Sequence, residues 1–93
     1  MTSYNNGLVQ VVSGSPTLIV TVASENGGVL IQNVGNALVF LGGPTVTSSG
    51  ANQGVSVAAG ATLLVPSVGG QTNALYGVTA ATAQNVAFLM PQR

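Results

Sequence analysis

The chain has 93 residues, of which 46% are hydrophobic and only 2% charged, and its formal net charge is zero. Glu25 and Arg93 are the only charged side chains, and Asp, Lys, His, Cys and Trp do not occur. One cation cannot neutralise a row of phosphates or hold an anionic bilayer surface, so neither nucleic acid nor membrane is expected as a partner, and no disulfide or thiolate metal site can form.

In chain order, Met1–Gly7 (MTSYNNG) is polar and aperiodic and reads as an N-terminal arm. It lacks a basic stretch ahead of an apolar core, so it is not expected to be a secretory signal. Leu8–Ser13 is the first strand candidate, broken by Gly14-Ser15-Pro16, because proline presets a turn dihedral and donates no ladder hydrogen bond. Thr17–Ala23 is the second, with Leu18, Val20 and Val22 alternating against Thr17, Ile19 and Thr21. Ser24–Gly27 is a turn carrying the only acid.

Gly28–Gly43 (GVLIQNVGNALVFLGG) places two apolar runs, Val29–Val34 and Ala37–Leu41, around Gly35-Asn36. Gly-Asn is a two-residue turn signal, so the stretch predicts a β-hairpin. Its near-continuous apolarity requires cover on both faces, by core on one side and by a loop or partner on the other. With no lysine or inward charge, bare arms of this kind are open to aggregation unless sheet neighbours or another subunit protect them.

Pro44–Gly54 is the longest polar stretch, with Thr45–Thr47 a short edge-strand candidate and Ser48–Gly54 a flexible loop by composition. Val55–Ala58 and Ala61–Val65 are strands about the Ala59-Gly60 turn. Pro66 ends the second of them, and Ser67–Asn73 is another neutral loop. Ala74–Thr79 and Asn85–Met90 are the last strands, and 91–93 form a short tail. No window supports a helix, and the longest apolar runs fall far short of the ~20 residues that span a bilayer. The length and the strand spacing predict one domain over 1–93, all-β, a compact antiparallel β-sandwich, jelly-roll-like, of about seven or eight short strands. A small β-barrel is the alternative.

Composition argues against catalysis. Acid–base chemistry needs a group whose pKa can sit near the working pH, and a single carboxylate makes no glycosidase pair. With no His or Lys to act as base, Ser13, Ser15, Ser24, Ser48, Ser49, Ser56 and Ser67 read as structural or surface hydroxyls. Glu25 alone is too poor a ligand set for a cation. The glycine pairs at 27–28, 42–43 and 69–70 lack the helix N-terminus or lysine of a phosphate cradle. No enzyme activity, cofactor or metal is expected. A surface with almost no charge resists association poorly, which points to a chain that works inside an assembly.

The succession IQNVGNALVFLGGPTVT, GVSVAAGATLLV, ALYGVTA and VAFL resembles that of small all-β virion proteins of tailed phages, over roughly Gly28–Leu89. The shared pattern is I-x-N-x-G, a V-x-L-G-G-x-x-V-T corner, an A-G turn, A-L-Y-x-V and a closing V-x-V/F-L strand. The chain departs from it in its uncharged Ser67–Asn73 loop and its Pro-Gln-Arg tail. Proteins that look like this are typically capsid decoration, or cement, proteins or small domains attached to head or tail structures. The resemblance implies a structural protein on the virion surface, made in the host cytoplasm, bound to the major capsid protein and assembled as a homo-oligomer, with a trimer as the expected order. A receptor- or glycan-binding module of a phage head or tail fibre is the alternative. Candidate interface residues are Thr2, Ser3, Tyr4, Asn5 and Asn6 in the arm, with Ser48, Ser49, Asn52, Gln53, Gln71, Thr72 and Asn73 in the two neutral loops.

Overall fold

The computed structural model describes residues 3–22, 27–66 and 72–91. They form eight strands and no helix: β1 (Tyr4–Val11), β2 (Thr17–Val22), β3 (Val29–Asn33), β4 (Val39–Gly42), β5 (Val55–Val57), β6 (Thr62–Val65), β7 (Asn73–Val78) and β8 (Gln84–Pro91). Two four-stranded sheets result, ordered β1-β8-β3-β6 and β2-β7-β4-β5, with every ladder antiparallel. The pairs β4·β5, β3·β6, β2·β7 and β1·β8 are those of one long hairpin turning between β4 and β5. Successive pairs alternate between the sheets, so the hairpin is rolled up into a jelly-roll β-sandwich. Both sheets turn alternate residues inward onto one core, to which Val11, Val22, Val29, Ile31, Val39 and Val86 contribute.

The predicted hairpin at Gly35-Asn36 does not form. β3 and β4 lie in different sheets, and residues 34–38 are a crossover between them. Neither Gly35 nor Asn36 has a positive φ, which a primed hairpin turn would need. What holds the crossover is side-chain chemistry. The Asn33 Nδ2 donates to the carbonyls of Ala37 (2.7 Å) and Val57 (2.8 Å), and its Oδ1 accepts from the Gly35 N–H (2.9 Å). The Gln84 Oε1 accepts from the Asn36 and Ala37 N–H groups at 2.7 and 3.0 Å. Gly35 is glycine for space: a Cβ there would collide with the Gln84 carboxamide.

Other readings are corrected locally. Tyr4–Gly7 is not an arm but the first half of β1, paired from Tyr4↔Pro91 to Gly7↔Phe88, and Pro91 therefore belongs to β8 rather than to a tail. The alternation expected in the second strand breaks at a bulge between Leu18 and Val20, so that Ile19 and Val20 are both buried. Thr45–Thr47 forms no named strand; Thr47 makes only an isolated bridge to Gln53. Phe40 and Val39 do face opposite ways, as their alternation requires, and both are buried.

The crossover generates two predictions. Asn33→Ala leaves the buried Val57 carbonyl and the partly buried Ala37 carbonyl and Gly35 amide without that partner and lowers unfolding free energy by about 3 kcal/mol in denaturant titration, while Gln32→Ala, exposed on the same strand, changes it by less than about 0.5 kcal/mol. Gly35→Ala destabilises by about 2 kcal/mol or more, because Gln84 is fixed by its own hydrogen bonds and cannot yield. Gly43→Ala, which meets open space at an ordinary φ, is neutral or stabilising by up to about 1 kcal/mol in the same assay.

Candidate interaction surface

One end of the sandwich carries the crossovers 12–16, 34–38, 58–61 and 79–83. It is closed by Asn33, Thr79 and Gln84, the polar residues buried among those described. Thr79 donates from Oγ1 to the Leu38 carbonyl (2.8 Å) and accepts from the Ala81 N–H (3.2 Å). Gln84 Nε2 donates to the Thr82 carbonyl (2.9 Å). The backbone of Asn33 joins the 58–61 turn in both senses, accepting from Gly60 N–H (2.7 Å) and donating to the Ala61 carbonyl (3.0 Å). The Thr79 N–H donates to the Val12 carbonyl (3.2 Å), which ties in the first crossover. These groups are spent on structure, and they leave that end without a buried polar group free for chemistry.

At the opposite end the connection between β4 and β5, residues 43–54, folds back over the outer face of the β2-β7-β4-β5 sheet. Val46 is buried there against Phe40 and Val78, with Tyr76 beside them, as a second small core outside the sandwich. The expected flexible loop is instead closed on itself. Thr47 donates to the carbonyls of Asn52 (N–H, 3.0 Å) and Ser49 (Oγ1, 2.6 Å), and Gly54 N–H donates to the Thr47 carbonyl (3.1 Å). Gly54 permits this closure, since a Cβ would strike both the Leu41 carbonyl and Val46.

Among the described residues, the outer face of the other sheet has no such cover. Strand register aligns Asn6, Leu89, Leu30 and Leu64 in one row across all four strands, and Leu8, Ala87, Gln32 and Thr62 in the next. Leu30 and Leu89 at the centre are about 40% exposed, while Tyr4, Leu8 and Leu64 toward the edges exceed 60%. Tyr4, Pro91, Leu89, Leu30 and Leu64 line one shallow groove with Gly27 and Gly28.

The candidate residues from the sequence divide between these surfaces. Ser3, Tyr4, Asn5 and Asn6 are exposed, with Tyr4 and Asn6 on the open face of β1. Ser49, Asn52 and Gln53 are exposed and Ser48 half-buried, all on the 43–54 loop, and Asn52 and Gln53 border a groove with Thr45. Thr72 is exposed and Asn73 begins β7, its Nδ2 buried without a partner. Thr2 and Gln71 lie outside the described residues, as do Glu25 and Arg93, so the described surface carries no charged side chain. The set does not converge on one site: β1 belongs to one sheet, and the 43–54 loop lies on the other. Sequence reasoning passed over the row Leu30, Leu64 and Leu89, whose alternation with Ile31, Leu63 and Phe88 offered no contrast between inward and outward residues.

Val46→Ala removes the plug beneath the loop and costs about 2 kcal/mol of stability. Hydrogen exchange then speeds at the Thr47 and Gly54 amides through local opening of the loop, while the Ile31 amide in β3 speeds by no more than the global loss of stability allows.

The chain matches no protein family, no curated protein and no solved structure.

Proposed function

We propose that the chain is a non-enzymatic structural protein of a virion, a decoration or cement protein that binds the outer surface of a phage head through the major capsid protein and stabilises the shell. The observation that carries the reading is the uncharged described surface, with amides and hydroxyls along the 43–54 connection. Burying amide and hydroxyl groups avoids the desolvation cost of ions. Each square ångström of apolar contact contributes about 25 cal/mol, repeated at every site on a shell. The jelly roll is an architecture used by viral capsid and lectin domains, which raises the prior without assigning the role.

In this reading the shell is met by the neutral residues Ser48, Ser49, Asn52, Gln53, Thr72 and Asn73, and the protein acts as a homo-oligomer. Attachment across a boundary between shell subunits raises the force and temperature needed to part them. The groove bordered by Thr45, Asn52 and Gln53 supports the second reading, a receptor- or glycan-binding module of a head or tail fibre, since amides and hydroxyls there offer sugar hydroxyls donors and acceptors.

Particles assembled with and without the chain separate these. The decoration reading expects density for the chain on the shell and a higher disruption temperature in its presence; unchanged particle stability with no density on the shell overturns it. A glycan array positive for the chain, lost in Asn52→Ala with Gln53→Ala, favours the second reading.

A further inference from the structure

We infer that the open face of the β1-β8-β3-β6 sheet binds a second copy of this chain, face to face, about a twofold axis parallel to the strands. The inference goes beyond the virion reading and does not depend on it.

The two outer faces of the sandwich differ in one respect. Phe40, Val78 and Tyr76 on one sheet are covered by the chain's own 43–54 loop through Val46. Leu30, Leu64, Leu89 and Tyr4 on the other have no cover from the described chain. A cross-strand row of three leucines continues into Tyr4 and Pro91 on one flank and meets Asn6, Gln32 and Thr62 on the other, which makes one contiguous apolar patch with polar groups along one margin.

A second copy fits this face on charge and on area. The described residues of the face carry no charged side chain, so laying them against a second copy brings no like charges of their own together, the usual barrier to self-association. Strands of eight, eight, five and four residues lying about 4.8 Å apart make a face of about 400 Å² in projection. With its side-chain relief this is the size of a weak, reversible interface, below the roughly 800 Å² per partner of a standard one.

The axis follows from the row. A twofold along the strands, between β8 and β3, lays Leu30 over the partner copy's Leu89. It also sets Leu64 at one edge against the Tyr4 and Leu8 edge of the other copy. The most exposed apolar groups of the face thus cover one another twice. The same axis keeps the 43–54 connections of both copies at one end of the dimer. An axis across the strands would instead stack β6 on β6 and send those connections to opposite ends. The arrangement differs in order from the trimer that the resemblance implies, and the measurement below separates the two.

Analytical ultracentrifugation of the full chain up to about 100 μM, within the range where interfaces of this size associate, is expected to give twice the 9.1 kDa chain mass. Leu30→Glu puts an unpaired charge at the centre of the contact twice over and weakens the dimer at least about a hundredfold. Its circular dichroism stays that of the parent, since Leu30 faces outward. The chain has no cysteine, so Tyr4→Cys and Leu64→Cys are clean probes for a thiol cross-linker spanning about 10 Å, the spacing of stacked sheets. A mixture of the two variants is expected to cross-link and each alone to stay single. A monomer at every concentration, a trimer, a dimer indifferent to Leu30→Glu, or cross-linking of either variant by itself overturns the inference. Shell binding is read separately on particles, so loss of one result leaves the other standing.

Discussion

The fold depends on one buried amide. Asn33 satisfies the crossover from β3 to β4 with its side chain and the turn from β5 to β6 with its backbone, and it reaches both sheets by bonding to Val57 in β5 from its place in β3. Gln84 and Thr79 extend the same network to the remaining two crossovers at that end. A jelly roll has this problem by construction. Strands that follow one another change sheets, so their connections cannot close ladder hydrogen bonds and must find other partners for their backbone groups. Here three neutral side chains supply them. Satisfied buried networks of this kind specify one arrangement strongly, because every alternative strands a polar group in the core.

With that end fixed, the chain manages its two outer faces differently. The connection between β4 and β5 is long enough to return over its sheet and plug it with Val46. The connections at the clamped end are short and bonded down, and they cannot reach the other sheet's outer face. Among the described residues nothing covers Leu30, Leu64 and Leu89 as Val46 covers the other sheet. The strand edges show the same economy. β2 is bulged, β5 has three residues, and β6 has four and runs into Pro66; each device blunts an edge without charge. β1, with eight residues in unbroken register, is the exception, and it carries Tyr4 and Leu8 at the rim of the open face.

The concern about the Gly28–Gly43 arms is resolved by position. β3 lies between β8 and β6, and β4 lies between β7 and β5, so neither offers a free edge. The exposure that remains is a face rather than an edge. That difference turns an aggregation hazard into a bounded surface, which one partner can fill.

The sequence by itself determined the class of the protein: strand-length apolar runs punctuated by glycine and proline give an all-β sandwich, and a chain with two charged side chains is poorly suited to binding phosphates or performing acid–base chemistry. Local propensity placed most strands within one or two residues, because turn chemistry is local. Tertiary structure decided which strands pair. Gly35-Asn36 carries a hairpin signal, yet β3 and β4 pair with strands other than each other, β3 with β6 and β8 and β4 with β5 and β7, and Asn33 and Gln84 replace the turn hydrogen bonds with side-chain ones. It also decided which apolar faces are covered. Leu30 and Ile31 are indistinguishable in a continuous apolar run, and only the packing of one sheet on the other turns Ile31 into core and leaves Leu30 on the surface.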